Sequence, residues 1–193
     1  MRVSRQQAAE NRERVIETAG RLFREKGFDG IGLKDLMAGA GLTQGGFYKQ
    51  FASKDELAAL AARRALEDAT QRWKDALDDR PADGLAAVTD FYLSEGHKEE
   101  RAQGCPIVAL GSDAARQGPE VRSAFEDGIR SHLAMIAAAL GQDRADEAAV
   151  ALSTMVGAVL LSRIVEDRTL SQQILSAAAD ALRAGEAAGE SVR

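Results

Sequence analysis

Apolar residues recur along this chain at helical spacing, and no strand-like alternation persists anywhere. Val15, Ile16, Ala19, Leu22 and Phe23 fall on one face, with Arg12, Glu13, Arg21 and Arg24 on the others, and Gly27 follows as a C-terminal cap; a helix is predicted over about 11–26. A glycine-punctuated stretch comes next. Leu33 to Ala38 makes two helical turns, Gly39 and Gly41 bracket a tight turn, and Thr43 is placed to cap a short helix ending near Phe51. Ser53 with Glu56 three residues on forms a capping box for a longer helix to about Leu77, which carries Leu57, Leu60, Ala61, Arg64 and Trp73.

After the break at Arg80-Pro81-Ala82-Asp83-Gly84, five more helices are predicted, near 84–97, 105–116, 119–140, 145–166 and 171–188. The predicted fold is therefore all-α, with about nine helices. The run Ala148–Leu161 is apolar almost all round, so it must be covered on several sides. It is read as too short and too rich in small residues to span a bilayer. Gly157 and Ala158 permit close approach of a partner helix, and Ile174, Leu175, Ala178 and Leu182 give the last helix a matching stripe. A homodimer through the last two helices accounts for both.

Composition changes this picture little. The 193 residues, 45% apolar and 28% charged with three prolines, suit a globular helical protein that needs no metal or disulfide staple. A single cysteine, Cys105, forbids an internal disulfide, and MRVSRQQAAENRER carries no secretory apolar stretch. A cytoplasmic protein with no membrane partner is expected. Charge is more informative. The net charge is −5, yet residues 1–51 hold nine Lys/Arg against six Asp/Glu and the remainder 16 against 24. An acidic body with a basic N-terminal segment points to a local anion-binding face.

Two short helices joined by a glycine-bearing turn make a helix-turn-helix, whose second helix enters the DNA major groove. Leu36, Ala40, Leu42, Phe47 and Phe51 can supply its small core, leaving Thr43, Gln44, Gly45, Tyr48 and Lys49 outside. Gly45 and Gly46 weaken the helix but let backbone approach a phosphate or base edge, with N–H groups at a helix N-terminus.

The run from about Val15 to Leu57 resembles the TetR family of bacterial transcriptional regulators. The resemblance is carried above all by Ala40-Gly41-Leu42-Thr43-Gln44-Gly45-Gly46-Phe47-Tyr48-Lys49-Gln50-Phe51 followed by Ser53-Lys54-Asp55-Glu56-Leu57. It covers roughly the first third of the chain. It implies a DNA-binding head at 1–52, a ligand-sensing and dimerisation body at 53–193, and a homodimer closed by a four-helix bundle. Thr43, Gln44, Gly45 and Tyr48 match recognition contacts, joined by Lys49; Lys34 matches a contact of the preceding helix and Lys54 a phosphate contact. Two departures occur: Gly32 replaces the usual capping Ser or Thr, and Gln50 the common His. The implied function is a repressor that leaves a palindromic operator on binding a small-molecule effector or on modification of Cys105.

Gly104-Cys105-Pro106-Ile107-Val108-Ala109-Leu110-Gly111-Ser112-Asp113 is similar to a subgroup of such repressors with a Gly-Cys step, some of which sense electrophiles or oxidants. A cysteine beside a helix N-terminus favours the reactive thiolate; a lone cysteine is also an ordinary small core residue, and both readings stand. His132, on the stripe Val121, Phe125, Ile129, His132, Ile136, is either a pocket ligand or partner of Cys105, or a hydrogen-bonded core residue. His97, at a helix end, is assigned capping only. Trp73, Phe91, Tyr92 and Met135 are candidate pocket walls that serve equally well as core. Two His and one Cys scattered in this way make a poor metal set, and no cofactor is called for. An enzyme finds no support: there is no Ser-His-Asp order, phosphate loop or dinucleotide fingerprint. A protein-binding module, an activator and an effector-independent repressor are the remaining alternatives.

Overall fold

The computed structural model describes residues 4–141 and 144–190. Among the described residues there are nine α-helices, one 3₁₀ helix and no strand: α1 (Arg5–Lys26), α2 (Leu33–Gly39), a 3₁₀ segment (Gln44–Lys49), α3 (Lys54–Asp79), α4 (Leu85–Tyr92), α5 (Glu95–Glu99), α6 (Pro106–Ala114), α7 (Pro119–Leu140), α8 (Ala145–Ile164) and α9 (Arg168–Glu190). They form two compact units. The first joins the chain through Asp68 to Cys105–Asp127, and the second joins Ala69–Gly104 to the chain from Gly128 onward.

In the first unit, α1 starts about two turns earlier than its apolar stripe predicts. The Ser4 hydroxyl caps it, accepting from the Gln7 N–H at 3.1 Å, and Gln6–Glu10 and Gln7–Asn11 side-chain bonds support the added turns. Those turns hold no apolar side chain larger than alanine, so hydrophobic periodicity does not register them. Val15, Phe23, Leu36, Met37, Phe47 and Phe51 form the centre of a core that Leu110, Val121 and Phe125 of α6 and α7 complete. Each such buried apolar side chain contributes roughly 1.5–3 kcal/mol.

Gly39 does not form the turn after α2. It ends the helix, and a methyl there would meet Leu22 Cδ1 at 3.0 Å and Thr18 Cγ2 at 3.1 Å, so its smallness lets α2 close on α1. The turn belongs to Gly41, at φ 71°: its N–H donates to Ala38 O (2.9 Å) and that of Leu42 to Met37 O (2.9 Å), a Schellman closure. The next segment is a 3₁₀ turn rather than the predicted α-helix, with Gly46 N–H donating to Thr43 O (3.0 Å) and Gln50 N–H to Phe47 O (2.8 Å). Two glycines in six residues leave too little propensity for a regular helix. The Thr43 side chain makes no cap bond, contrary to expectation.

In the second unit, the predicted single helix over 84–97 is two. Ser94 divides it: its hydroxyl donates to Phe91 O (2.8 Å) at the end of α4 and accepts from His97 N–H (3.1 Å) at the start of α5. Helix α9 begins at Arg168, three residues before the prediction, because the Asp167 carboxylate accepts from the N–H groups of Thr169 (2.8 Å) and Leu170 (3.3 Å). Helices α8 and α9 pack together, with Ser171 Oγ donating to Ser162 O at 2.8 Å. By length and composition alone α8 is long enough and apolar enough to cross a membrane, which the shorter 148–161 run is not. A core helix has the same character, and Ala151, Leu152, Met155 and Val159 are buried within the unit.

Candidate functional site

The 3₁₀ segment owes its position to two rings. Phe47 and Phe51 are buried, 5.5 Å apart, and the first holds Tyr48 edge-on at 5.2 Å. Because Phe47 points inward, Tyr48 and Lys49 point outward, and Tyr48 is 73% exposed. Thr43, Gln44, Gly45 and Lys49 of this stretch, and Lys34 of α2, are exposed too; Lys54, opening α3, is half-buried. The seven residues singled out for DNA contact thus all belong to the first unit.

Nothing lies within 4 Å of where a Gly45 methyl would sit, so packing inside the protein does not demand glycine there. Gly46 faces Met37 Cε at 3.8 Å. A six-residue 3₁₀ turn carries little helix dipole, so the positive charge of this face is that of its lysines rather than of a helix N-terminus. Among the described residues, no carboxylate lies within salt-bridge distance of Lys34, Lys49 or Lys54. Arginines of the same unit are engaged instead: Arg64 with Glu13 (2.9 Å) and Asp68 (3.1 Å), Arg21 with Glu25 (3.6 Å), Arg63 with Asp127 (3.3 Å).

Sequence reading missed Arg12. Its guanidinium lies over the Phe51 ring, 4.9 Å from the centroid, donates to Gln50 O (3.4 Å) and pairs with Glu56 (3.4 Å). Glu56 in turn accepts from Ala52 N–H (2.6 Å), while Ser53 Oγ accepts from Glu56 N–H (3.0 Å). The capping box was visible in the sequence; its carboxylate reaches one residue further back than the usual pattern, and its arginine comes from 44 positions away. The cluster pins the end of the 3₁₀ segment to α1 and α3. At Gln50, the departure from the family pattern, the side-chain carbonyl oxygen is buried and has no hydrogen-bond partner among the described residues.

The second unit gathers most of the other candidates. Trp73 meets His132 edge-on at 4.2 Å and Tyr92 at 5.5 Å; His97 lies 4.5 Å from Tyr92 and 5.5 Å from Phe91. Trp73, Tyr92 and His132 are almost fully buried, whereas Phe91 and Met135 are half-buried. His132 Nδ1 donates to Gly128 O (2.8 Å) of its own helix. His97 Nδ1 donates to Tyr92 O (2.6 Å), the last carbonyl of α4, which is a capping role. Burial holds the pKa of both histidines down, that of His97 to about 4, with nearby Arg72 acting the same way. Both are neutral imidazoles with the proton on Nδ1.

Cys105 stands apart, in the first unit, as the buried N-cap residue of α6 with Pro106 in the first turn. Gly104 before it is confined: a side chain there would run into Glu100 O and, at 2.9 Å, Arg163 Nη2. Among the described residues no group of three or more His, Cys, Asp or Glu could hold a metal ion.

Comparison with known proteins follows these two regions. Residues 15–61 match the bacterial regulatory proteins of the TetR family, and residues 81–181 the C-terminal domain of LmrA/YxaF-like transcriptional regulators. The HTH-type transcriptional regulator LmrA of Bacillus subtilis is 26% identical over 90% of this chain and 97% of its own length. An uncharacterised HTH-type regulator of Mycobacterium tuberculosis is 31% identical over 82% and 87%. The repressor NemR of Escherichia coli is 26% identical over 70% and 69%. Among solved structures, a TetR transcriptional regulator from Chloroflexus aurantiacus superposes with a TM-score of 0.76 at 28% identity, covering 91% of this chain and 95% of that one. Reduced NemR gives 0.76 at 23%, covering 90% and 95%.

The buried histidines make stability depend on pH. The folded protein holds His97 neutral down to about pH 4, whereas the unfolded chain takes up a proton near 6.5. The His97 contribution to stability is therefore full above pH 6.5 and lost as pH falls toward 4. The urea midpoint is expected to drop between about pH 7.5 and about pH 5, and to drop less in His97→Gln. An equal drop in both proteins would remove His97 from this account.

Proposed function

The chain belongs to the TetR family of bacterial regulatory proteins, and on that premise we propose that it is a dimeric repressor released from a palindromic operator by a small-molecule effector. The family makes it a DNA-binding transcriptional regulator and not an enzyme. The rest is a reading that particular features support. Residues 1–52 are the DNA-binding head, 53–193 the sensing and dimerisation body, and the protein works in the cytoplasm, where its operator is. That NemR is described as a repressor favours repression over activation.

The observation that carries this reading is the outer face of the 3₁₀ segment. Tyr48 and Lys49 stand exposed beside an uncrowded Gly45, with Lys34 and Lys54 unpaired among the described residues. Lysines without carboxylate partners leave their charge for phosphate, while Thr43, Gln44 and Tyr48 offer hydrogen bonds to base edges or backbone.

Dimerisation is assigned to α8 and α9. Val150, Leu160, Leu161 and Ile164 are 43–67% exposed along α8, and Leu170 of α9 is 43% exposed. A second copy covering this apolar strip places two heads on two half-sites, about one helical turn of DNA apart (~34 Å). An effector that prefers another conformer of the dimer weakens DNA binding by linkage. Trp73, Phe91, Tyr92, His132 and Met135 are the proposed effector wall. Modification of Cys105 is the alternative trigger; its burial, 3% exposed, requires the site to open first.

Fluorescence anisotropy with DNA from upstream of the protein's own gene tests the main reading. Saturable binding that resists nonspecific competitor is expected. Lys49→Ala should fold normally and weaken binding across sequences, with a salt slope shallower by about one. Absence of binding to any DNA at low salt would overturn the reading in favour of a protein-binding head. Leu161→Glu should sediment as a monomer and lose operator affinity; a dimer that still binds tightly would place the interface elsewhere. If an electrophile releases Cys105→Ser from DNA as readily as the parent, Cys105 is core and not a trigger.

A further inference from the structure

Helix α9 has a second face. Gln172, Ser176 and Arg183 lie about 180° around the helix from Leu170 and Ile174 on the proposed dimer side. There, within the second unit, α9 borders a groove of about 500 Å³ with α4 and α5. Its floor includes the buried Thr89, Leu93, Leu175 and Ala179. Thr89 has no solvent exposure, and its hydroxyl has no hydrogen-bond partner among the described residues. A buried hydroxyl without a partner is costly to the fold, so a polar ligand reaching it gains what the fold forgoes.

The two ends of the groove differ in charge. At one, the acids and bases satisfy each other: Asp90 accepts from Arg80 (2.8 Å) and Arg183 (2.6 Å), and Arg183 also bonds Asp180 (3.1 Å). Burial pulls the Asp90 pKa up, but the two guanidinium bonds outweigh it and hold the carboxyl below its ordinary value. At the other end, Lys98 lies 3.7 Å from Glu95, and Arg168 has no carboxylate within salt-bridge distance among the described residues. A smaller groove of about 280 Å³ shares Lys98 and Arg168 and adds Arg101 and Arg163 together with Glu99 and Glu166. Arg163 is held in place by donating to Lys98 O (2.8 Å) and His97 O (3.0 Å). With Glu95, Glu99 and Glu166 set against Lys98, Arg101, Arg163 and Arg168, the open end keeps one net positive charge, while the closed end is neutralised.

We infer that this groove binds a small hydroxylated organic acid, its carboxylate at Lys98 and Arg168, its hydroxyl toward Ser176 and Thr89, and its hydrocarbon on Leu93 and Leu175. Arg168 and Ser176 are eight residues apart, about 12 Å along the helix, so a single ligand that touches both is longer than acetate. The volume lies within the range of small-molecule sites. None of Trp73, Phe91, Tyr92, His132 and Met135 lines this groove, so it is a second ligand site, and only its regulatory consequence rests on the effector reading.

Calorimetric titration of the full-length protein with 4-hydroxycinnamate, and with its neutral amide, tests it. The acid should bind saturably and the amide at least about tenfold more weakly, the loss expected for removing a charge-assisted contact. Arg168→Gln should weaken the acid by a similar factor, and Ser176→Phe, which fills the groove, should abolish binding; both should keep the parent's thermal unfolding and unliganded DNA affinity. No saturable binding of the acid, equal binding of acid and amide, or parent-like affinity in both variants would each overturn the proposal. Failure of the unliganded parent to bind DNA would instead overturn the regulator reading, and would leave the titration to decide the groove by itself.

Discussion

The exposed face of the 3₁₀ segment depends on the burial of Phe47 and Phe51. The turn that carries Thr43 to Lys49 contains two adjacent glycines and closes as a 3₁₀ helix, which has poorer hydrogen-bond geometry than an α-helix and does not hold itself straight in isolation. Its shape is imposed from beneath, by two rings locked among Met37, Leu36 and the apolar face of α1. Tertiary packing thereby replaces local propensity. The same packing decides what faces outward, since once Phe47 is seated Tyr48 and Lys49 have only solvent before them.

Charge within the first unit is divided by role. Arg12, Arg21, Arg63 and Arg64 are spent on carboxylates. These contacts are half-exposed, so each contributes little to stability, on the order of 1 kcal/mol or less. Their use is geometric: Arg12 and Glu56 tie the end of the 3₁₀ segment to α1 and α3. The lysines on the outer face carry no such obligations, and a flexible cation without a fixed partner is what a phosphate backbone needs. This is how a protein of net charge −5 presents a surface suited to a polyanion.

The second unit buries polarity where the first exposes it. His97 and His132 are neutral, each donating a proton to a helix carbonyl, and both are packed against aromatic rings. Helix α9 serves three neighbourhoods around its circumference: α8, the apolar strip that begins at Leu170, and the polar groove toward α4. Three demands on one helix explain why its residues alternate so closely between leucine or alanine and charged or hydroxylated side chains.

The all-helical class, nearly every helix, the buried aromatic set of the head and its outward residues followed from periodicity, caps and the glycine turn, because each depends on neighbours within a few positions. The family resemblance rests on the same short-range spacing. What escaped was long-range or lacked an apolar stripe. The first turns of α1 hold no apolar side chain larger than alanine, so periodicity does not mark them. The break between α4 and α5 turns on one serine that bonds both ways. Arg12 finds Glu56 across 44 residues, Asp90 meets Arg183 across 93, and Cys105 and His132 belong to different compact units. Local pattern determined which segments are helices and which face of each is apolar. Only the tertiary structure decided which distant charges meet and which stay free, because that depends on how the chain brings remote side chains within a few ångströms, and no spacing along the sequence encodes that distance.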